Sequence, residues 1–155
     1  MVLTGDLRRK DFSDQDLARV HFRDADLYQA SFAGSNLEAA VFENCFAAEA
    51  TFQKANCAGL CALHTSFYRA SFAGANLRDA LLRNCVLAGA DLRAADLRRV
   101  SLTLDCNSFE ELQIDCATSA ELAYLFGRAR SPHRQRWLDV VGDRHLPRLE
   151  HIFAR

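Results

Sequence analysis

Among the residues able to do chemistry, Cys57, Cys61 and His64 lie nearest to one another, at a spacing that would suit a zinc site if their side chains converged. The other cysteines are Cys45, Cys85, Cys106 and Cys116. The other histidines, His21, His133, His145 and His151, make no pair spaced for one helical face. No Gly-rich phosphate loop, nucleophile elbow or Ser, His, Asp constellation is present. The chain is therefore expected not to be an enzyme and to need no cofactor. Whether the two cysteines can share a metal depends on the elements that hold them.

Those elements are set by a repeat. Every fifth residue from Leu7 to Leu102 is Leu or Phe at seventeen of twenty positions, the exceptions being Ala47, Cys57 and Ala62. Two residues earlier stands a small residue, Ala in ten of the twenty, and a short polar residue often lies between, as in Ala25-Asp26-Leu27, Ser35-Asn36-Leu37 and Ala75-Asn76-Leu77. A period of five fits neither a helix nor a sustained strand. The backbone must instead turn once per repeat, with the large residue and the small one before it pointing inward. One repeat buries almost nothing, so a core forms only when successive turns stack. In this frame Cys57 points in and Cys61 points out, so they cannot converge on one ion, and no metal site is expected. The Asp residues before the core residue (Asp6, Asp11, Asp16, Asp26, Asp91, Asp96) are corner formers that bond nearby backbone.

The pattern A-[DN]-L-x-x over about two thirds of the chain resembles the pentapeptide-repeat family. The resemblance implies an all-β solenoid, a right-handed quadrilateral β-helix with four repeats per coil. About five coils would make a rod on the order of 24 Å long at strand spacing. Residues twenty apart should then stack, which places Phe12, Phe32, Phe52, Phe72 and Leu92 in one column and Phe22, Phe42, Ala62, Leu82 and Leu102 in another.

The third coil breaks the rule. Leu60 is large where a small residue belongs and Ala62 small where a large one belongs, a swap that conserves volume. Phe46 occupies an outward position and either turns in through a bulge or stays exposed. With Val41, Cys61, Leu63, Leu81 and Val86 it sketches an apolar strip, the candidate interaction surface or a landing site for the C-terminal segment.

The repeat domain is placed at 1–105, and 106–155 holds a last partial coil and a short α-helical cap or dimerisation segment. Leu112, Ile114 and Cys116 alternate like one more strand. Thr118-Ser119-Ala120-Glu121 reads as a capping box for a helix over 119–128 carrying Leu122, Leu125 and Phe126. Ser131-Pro132 opens a second helix with Trp137, Leu138 and Val141, and Pro147 a third with Leu149, Ile152 and Phe153. These apolar faces could close the solenoid end or pair two copies into a homodimer.

Composition narrows function further. Lys plus Arg number 19 against 20 Asp plus Glu, so charge singles out neither nucleic acid nor an anionic membrane as partner. With no leader-like start and no apolar run long enough to span a bilayer, a cytoplasmic protein with reduced thiols is expected. Rigid preformed walls suit a scaffold that binds a protein partner. The alternative, implied by the family resemblance, is a DNA-mimicking modulator of DNA gyrase or topoisomerase. A mimic needs rows of carboxylates, and here Arg8, Arg9, Arg19, Arg23, Arg69, Arg78, Arg83, Arg93, Arg98 and Arg99 interleave with the acids. Asp79, Asp91 and Asp96 among the last arginines likewise count against direct nucleic-acid binding.

Overall fold

A chain that turns after every core residue returns to the same wall after four turns, and backbone pairing between coils follows from that return. The computed structural model describes residues 1–103, 111–115, 117–118 and 121–122. Over them the chain is a parallel-strand β-solenoid of about five turns. Strands β1 (Val2–Asp6), β2 (His21–Asp26), β3 (Val41–Glu43), β4 (Cys61–Leu63), β5 (Leu81–Arg83) and β6 (Ser101–Thr103) form one parallel sheet in chain order. From β2 onward, paired residues are one coil apart: His21 on Val41, Val41 on Cys61, Cys61 on Leu81, Leu81 on Ser101. β1 begins one residue out of step, Val2 on His21, and a bulge between Leu3 and Gly5 restores the offset. Single-residue parallel bridges build three more walls, through Asp11, Ser31, Thr51, Ser71 and Asp91, through Asp16, Asn36, Asn56, Asn76 and Asp96, and through Asp26, Phe46, Ser66 and Val86. The cross-section is therefore four-sided, as the resemblance implied.

At each corner the second residue past the core position takes a positive φ, from Arg9 at 57° to Arg99 at 61°. Such a residue, when not glycine, carries a strain of about 1–2 kcal/mol. Its N–H, however, donates to the coil above, as from Asp14 to the Ala33 carbonyl at 2.9 Å and from Lys54 to that of Ala73 at 3.0 Å. Glycine at position 34 leaves room for the Asp14 carboxylate of the coil below, which would have to swing aside for a Cβ there. The Asp or Asn before the core residue accepts the N–H two residues on, Asp11 from Ser13 at 2.9 Å and Asp26 from Tyr28 at 3.1 Å, which is the corner-forming role expected of these carboxylates. Side-chain amides also stack along one wall, Asn76 donating to Asn56 and Asn56 to Asn36 at 3.0 Å each, and Asn36 to Asp16 at 2.9 Å.

Every expected core position from Phe12 to Leu97 is buried. Phe12, Phe32, Phe52 and Phe72 stack with ring centroids 5.0, 4.9 and 4.6 Å apart. Phe22 and Phe42 stack at 4.7 Å and meet the first column edge-on. Where Ala47 and Ala62 leave room in the third coil, Phe67 packs edge-on against Phe52 and Phe72. Leu60 and Ala62 are both sealed inside, as a volume swap requires. One corner of the square departs from the others. Beside it the small inner residue is Cys45, Thr65 or Cys85 rather than alanine, and the side chain donates to backbone. Cys45 Sγ reaches the Phe22 carbonyl at 3.4 Å, Thr65 Oγ1 that of Phe42 at 3.2 Å and Cys85 Sγ that of Ala62 at 3.6 Å. The two thiols are thus weak donors as well as small apolar fillers.

The last coil is closed by groups that imitate a sixth. Leu92 N–H donates to Gln113 O and Gln113 N–H to Ala90 O, both at 2.8 Å, while Leu112 is buried and Ile114 packs on the core; of the extra strand expected there the described residues hold a single bridge at Gln113, and Cys116 lies outside them. Carboxylates replace the next carbonyls, Asp115 accepting from Ala94 N–H and Glu121 from Leu97 N–H at 2.9 Å. Ala117 and Thr118 are already helical, ahead of the start at 119 that the capping box had placed. Asp115, accepting Thr118 N–H at 2.8 Å, is the cap, and Glu121 serves the solenoid instead of its own helix. Leu122 is buried. The boundary at 105 and 106 and the expected helical residues Leu125, Phe126, Trp137, Leu138, Val141, Leu149, Ile152 and Phe153 lie outside the described residues, as does any homodimer contact through them.

Three outcomes follow from this packing. Phe52→Ala removes a ring stacked on both sides and should cost about 3–5 kcal/mol in denaturant unfolding, an unchanged midpoint being inconsistent with the stack. Leu60→Ala should cost about 2–5 kcal/mol, and adding Ala62→Leu should recover most of it; failure to recover would refute the volume swap. Asp115 is held below the ordinary carboxylate value, chiefly by the Thr118 N–H. Its cap is therefore in full force above about pH 4 and is lost as pH falls through the lower folded value. Hydrogen-exchange protection of Ala94 and Thr118 should drop in acid and should already be low at neutral pH in Asp115→Ala.

Candidate interaction surface

The structure first disposes of the metal arrangement. Cys57 is fully buried, and burial pushes its thiol up to about 12, whereas Cys61 lies on the outer wall, so the two sulfurs face opposite sides of one backbone layer. His64 sits at a corner with φ 51°. Among the described residues no group of His, Cys, Asp and Glu is placed to hold a metal ion.

The six residues of the apolar strip stand on two adjacent walls that meet at the corner of Asn44, His64 and Asn84. Val41, Cys61 and Leu81 form one outward column of the β1–β6 sheet, with Leu63 beside them between Glu43 and Arg83. All four are partly covered. Phe46 and Val86 stand on the next wall, separated by Ser66. Phe46 faces outward with 49% of its surface exposed, which settles its orientation, and Val86 is 38% exposed. The strip is thus divided between two walls by the exposed polar corner of Asn44, His64 and Asn84 and is not one flat patch.

Two further residues belong to the Phe46 wall. The Tyr28 ring stacks on Phe46 at 6.2 Å, and Tyr68, 38% exposed, carries the Arg69 guanidinium 5.1 Å from its ring centre. Ala48 lies between Tyr28 and Tyr68 in an outward column, yet it is buried, because its neighbours in the column are both large. Sequence reading by fives passes over these tyrosines, since both stand one residue past a core position, where polar residues are common. Reading by twenties brings 28, 48 and 68 into one file and would have found them. The patch is edged by a polar chain along the neighbouring corner: Arg9 Nε donates to Gln29 at 3.1 Å, Gln29 Nε2 to Glu49 at 2.9 Å, and Tyr28 OH to Glu49 at 3.1 Å. That last bond holds the Tyr28 phenol above its ordinary value.

The other two walls differ in character. One presents Ser31, Thr51 and Ser71, the other the Asn36, Asn56 and Asn76 ladder, and neither carries a large exposed apolar side chain among the described residues. Three carboxylates on the rod are matched by arginine two residues on, with the core leucine between them. Asp6 with Arg8, Asp91 with Arg93 and Asp96 with Arg98 close to 2.6, 2.7 and 2.6 Å. Asp6 is brought down to about 2 by the Arg8 guanidinium. Arg78 also reaches Asp96, at 2.6 Å, and Arg99 reaches Asp79 at 2.8 Å.

No curated protein matches the chain significantly. Solved structures with similar folds include Rfr23, a pentapeptide repeat protein of the cyanobacterium Cyanothece 51142, at 24% identity over 64% of this chain and 60% of that one, with a TM-score of 0.35. This chain therefore spans less than two thirds of that protein. A pentapeptide repeat protein of the Arabidopsis thaliana thylakoid lumen is 23% identical over 88% of this chain and 87% of its own, with a TM-score of 0.39. Full-length QnrB1, a plasmid-mediated fluoroquinolone resistance protein, is 15% identical over 79% and 96%, with a TM-score of 0.41. Residues 5–34, 30–62 and 65–103 match the Pentapeptide repeats family model in eight copies, the same stretch over which the coils stack, and the chain belongs to the pentapeptide-repeat family.

Proposed function

We propose that the protein is a non-enzymatic interaction module that holds a protein partner in the cytoplasm against the wall of Tyr28, Phe46, Tyr68 and Val86. The observation that carries this reading is Phe46, an aromatic side chain half exposed on a rigid wall where the repeat calls for a polar residue. An exposed aromatic cluster on a folded surface is the usual signature of a contact site, and aromatic anchors supply a large share of binding energy in protein interfaces. Arg69 and Glu49 at its edge offer a charge of each sign to orient the partner. Because the wall is a stack of hydrogen-bonded coils, little ordering entropy is lost on association.

The gyrase-modulating alternative would need carboxylates presented as unpaired rows, and the Asp-Leu-Arg units neutralise Asp6 at one end of the rod and Asp91 and Asp96 at the other. The two readings separate in one experiment. The parent and a Phe46→Ser, Tyr68→Ser variant are compared for stability, for proteins retained from a lysate and for inhibition of purified DNA gyrase at low and high salt. The proposal expects both forms to melt alike, since exposed side chains change stability by only about 0.5 kcal/mol, and a discrete retained protein to be lost in the variant. Salt-sensitive gyrase inhibition that is untouched by the two serines would overturn it in favour of the mimic.

A further inference from the structure

The β1–β6 wall carries a second, independent pattern. Its outward pairs are Val41 and Glu43 on β3, Cys61 and Leu63 on β4, Leu81 and Arg83 on β5. The column of Glu43, Leu63 and Arg83 is acidic, apolar and basic in that order, and the column beside it is apolar from Val41 to Leu81, with His21 and Ser101 at its ends; His21 Nε2 lies 3.0 Å from one Glu43 carboxylate oxygen, leaving the other oxygen to face outward. Among the described residues the Arg83 side chain has no ion-pair partner, in contrast to the arginines at 8, 78, 93, 98 and 99 on the other walls and corners.

From this arrangement we infer that the wall is self-complementary and pairs face to face with the same wall of a second copy, the two rods antiparallel about a two-fold axis that runs along β4 between the walls. A contact across a two-fold is isologous, so each residue meets its mirror partner in sequence order. With the axis at β4, Leu63 meets Leu63 of the second copy and Cys61 meets Cys61. Val41 meets Leu81, and Glu43 meets Arg83 twice over.

The alternatives fail on charge. Moving the axis half a coil toward β3 sets Arg83 against Arg23 and Glu43 against Leu63. Moving it half a coil toward β5 sets Leu63 against Arg83. Running the rods parallel places Glu43 on Val41 and Arg83 on Leu81, which strands both charges on apolar groups. One register alone satisfies every outward residue of the three central strands, and unmatched or like charges penalise its neighbours, which is how an interface selects one geometry. Facing sheets pack about 10 Å apart, a gap that leucine, valine and cysteine side chains fill. Five rungs at about 4.8 Å and strands of three residues at about 3.3 Å make a wall about 24 Å by about 10 Å, roughly 240 Å², well below the about 800 Å² per partner of a standard interface. The dimer is therefore reversible and is read at high protein concentration.

The test is charge reversal in the full chain, followed by sedimentation equilibrium. Glu43→Arg and Arg83→Glu should each weaken association by at least about tenfold, because each sets like charges against each other twice. Mixing the two variants should restore a dimer, since one copy then presents a base at both positions and the other an acid at both. The double variant should associate like the parent. A short bis-maleimide should join two parent chains, and Cys61→Ser should abolish that product. Single variants as dimeric as the parent, an equimolar mixture that stays monomeric, or a parent that neither associates nor crosslinks through Cys61 would each overturn the inference. A dimer held by the C-terminal segment would show itself by the first of these results.

Discussion

The constraint on which everything else depends is the backbone bond between coils. A corner residue with positive φ would be strained by itself, and its N–H finds a carbonyl only in the coil above it. Each coil is therefore made acceptable by the next, and the return after four repeats brings the N–H groups and carbonyls of every wall together. This accounts for the tolerance of Arg, Lys, Gln and Asp at corners where glycine would be easier. It also accounts for the bulge in β1: the first strand enters one residue out of step, and the ladder corrects it at once.

Strict stacking turns every side chain into a member of a file. Inside, files of phenylalanine give parallel rings down one column and edge-on contacts across to the next, so the core is ordered without being uniform. Outside, the same rule produces the amide ladder of Asn36, Asn56 and Asn76 and the aromatic file around Ala48. A solenoid must also end. Here the end is satisfied by carboxylates of Asp115 and Glu121, which stand in for carbonyls of a coil that is not there, and by the Thr118 hydroxyl, which donates to the Leu92 carbonyl. An uncapped edge would offer those same groups to another chain.

The rod has two kinds of face. Short polar side chains cover two adjacent walls, while apolar and aromatic ones are gathered on the other two, around the Asn44, His64 and Asn84 corner. Asp6, Asp91 and Asp96 are paired to arginines through a shared core leucine, and on the Phe46 wall recognition falls to shape and to aromatic contact more than to field. The thiols divide in the same way, three of them sealed in the core or bonded to backbone and Cys61 alone among the described cysteines on an outer wall.

Reading by fives was enough to assign the core, residue by residue from Phe12 to Leu97, because inward and outward positions are decided locally by one turn of backbone. It identified the Asp corner formers and the Leu60 and Ala62 swap for the same reason. What it could not decide was anything that depends on which coil lies above which. The orientation of Phe46 was open until its wall was formed, since burial in a bulge and exposure are both compatible with one repeat. Tyr28 and Tyr68 looked like scattered surface residues until stacking set them in one file. The helix cap moved from Thr118 to Asp115 because Glu121 found a better donor in Leu97, twenty-four residues away along the chain. Periodicity is a local property of the chain and so is written in the sequence, whereas hydrogen-bond partners and exposed patches are shared between coils and exist only once the coils have stacked.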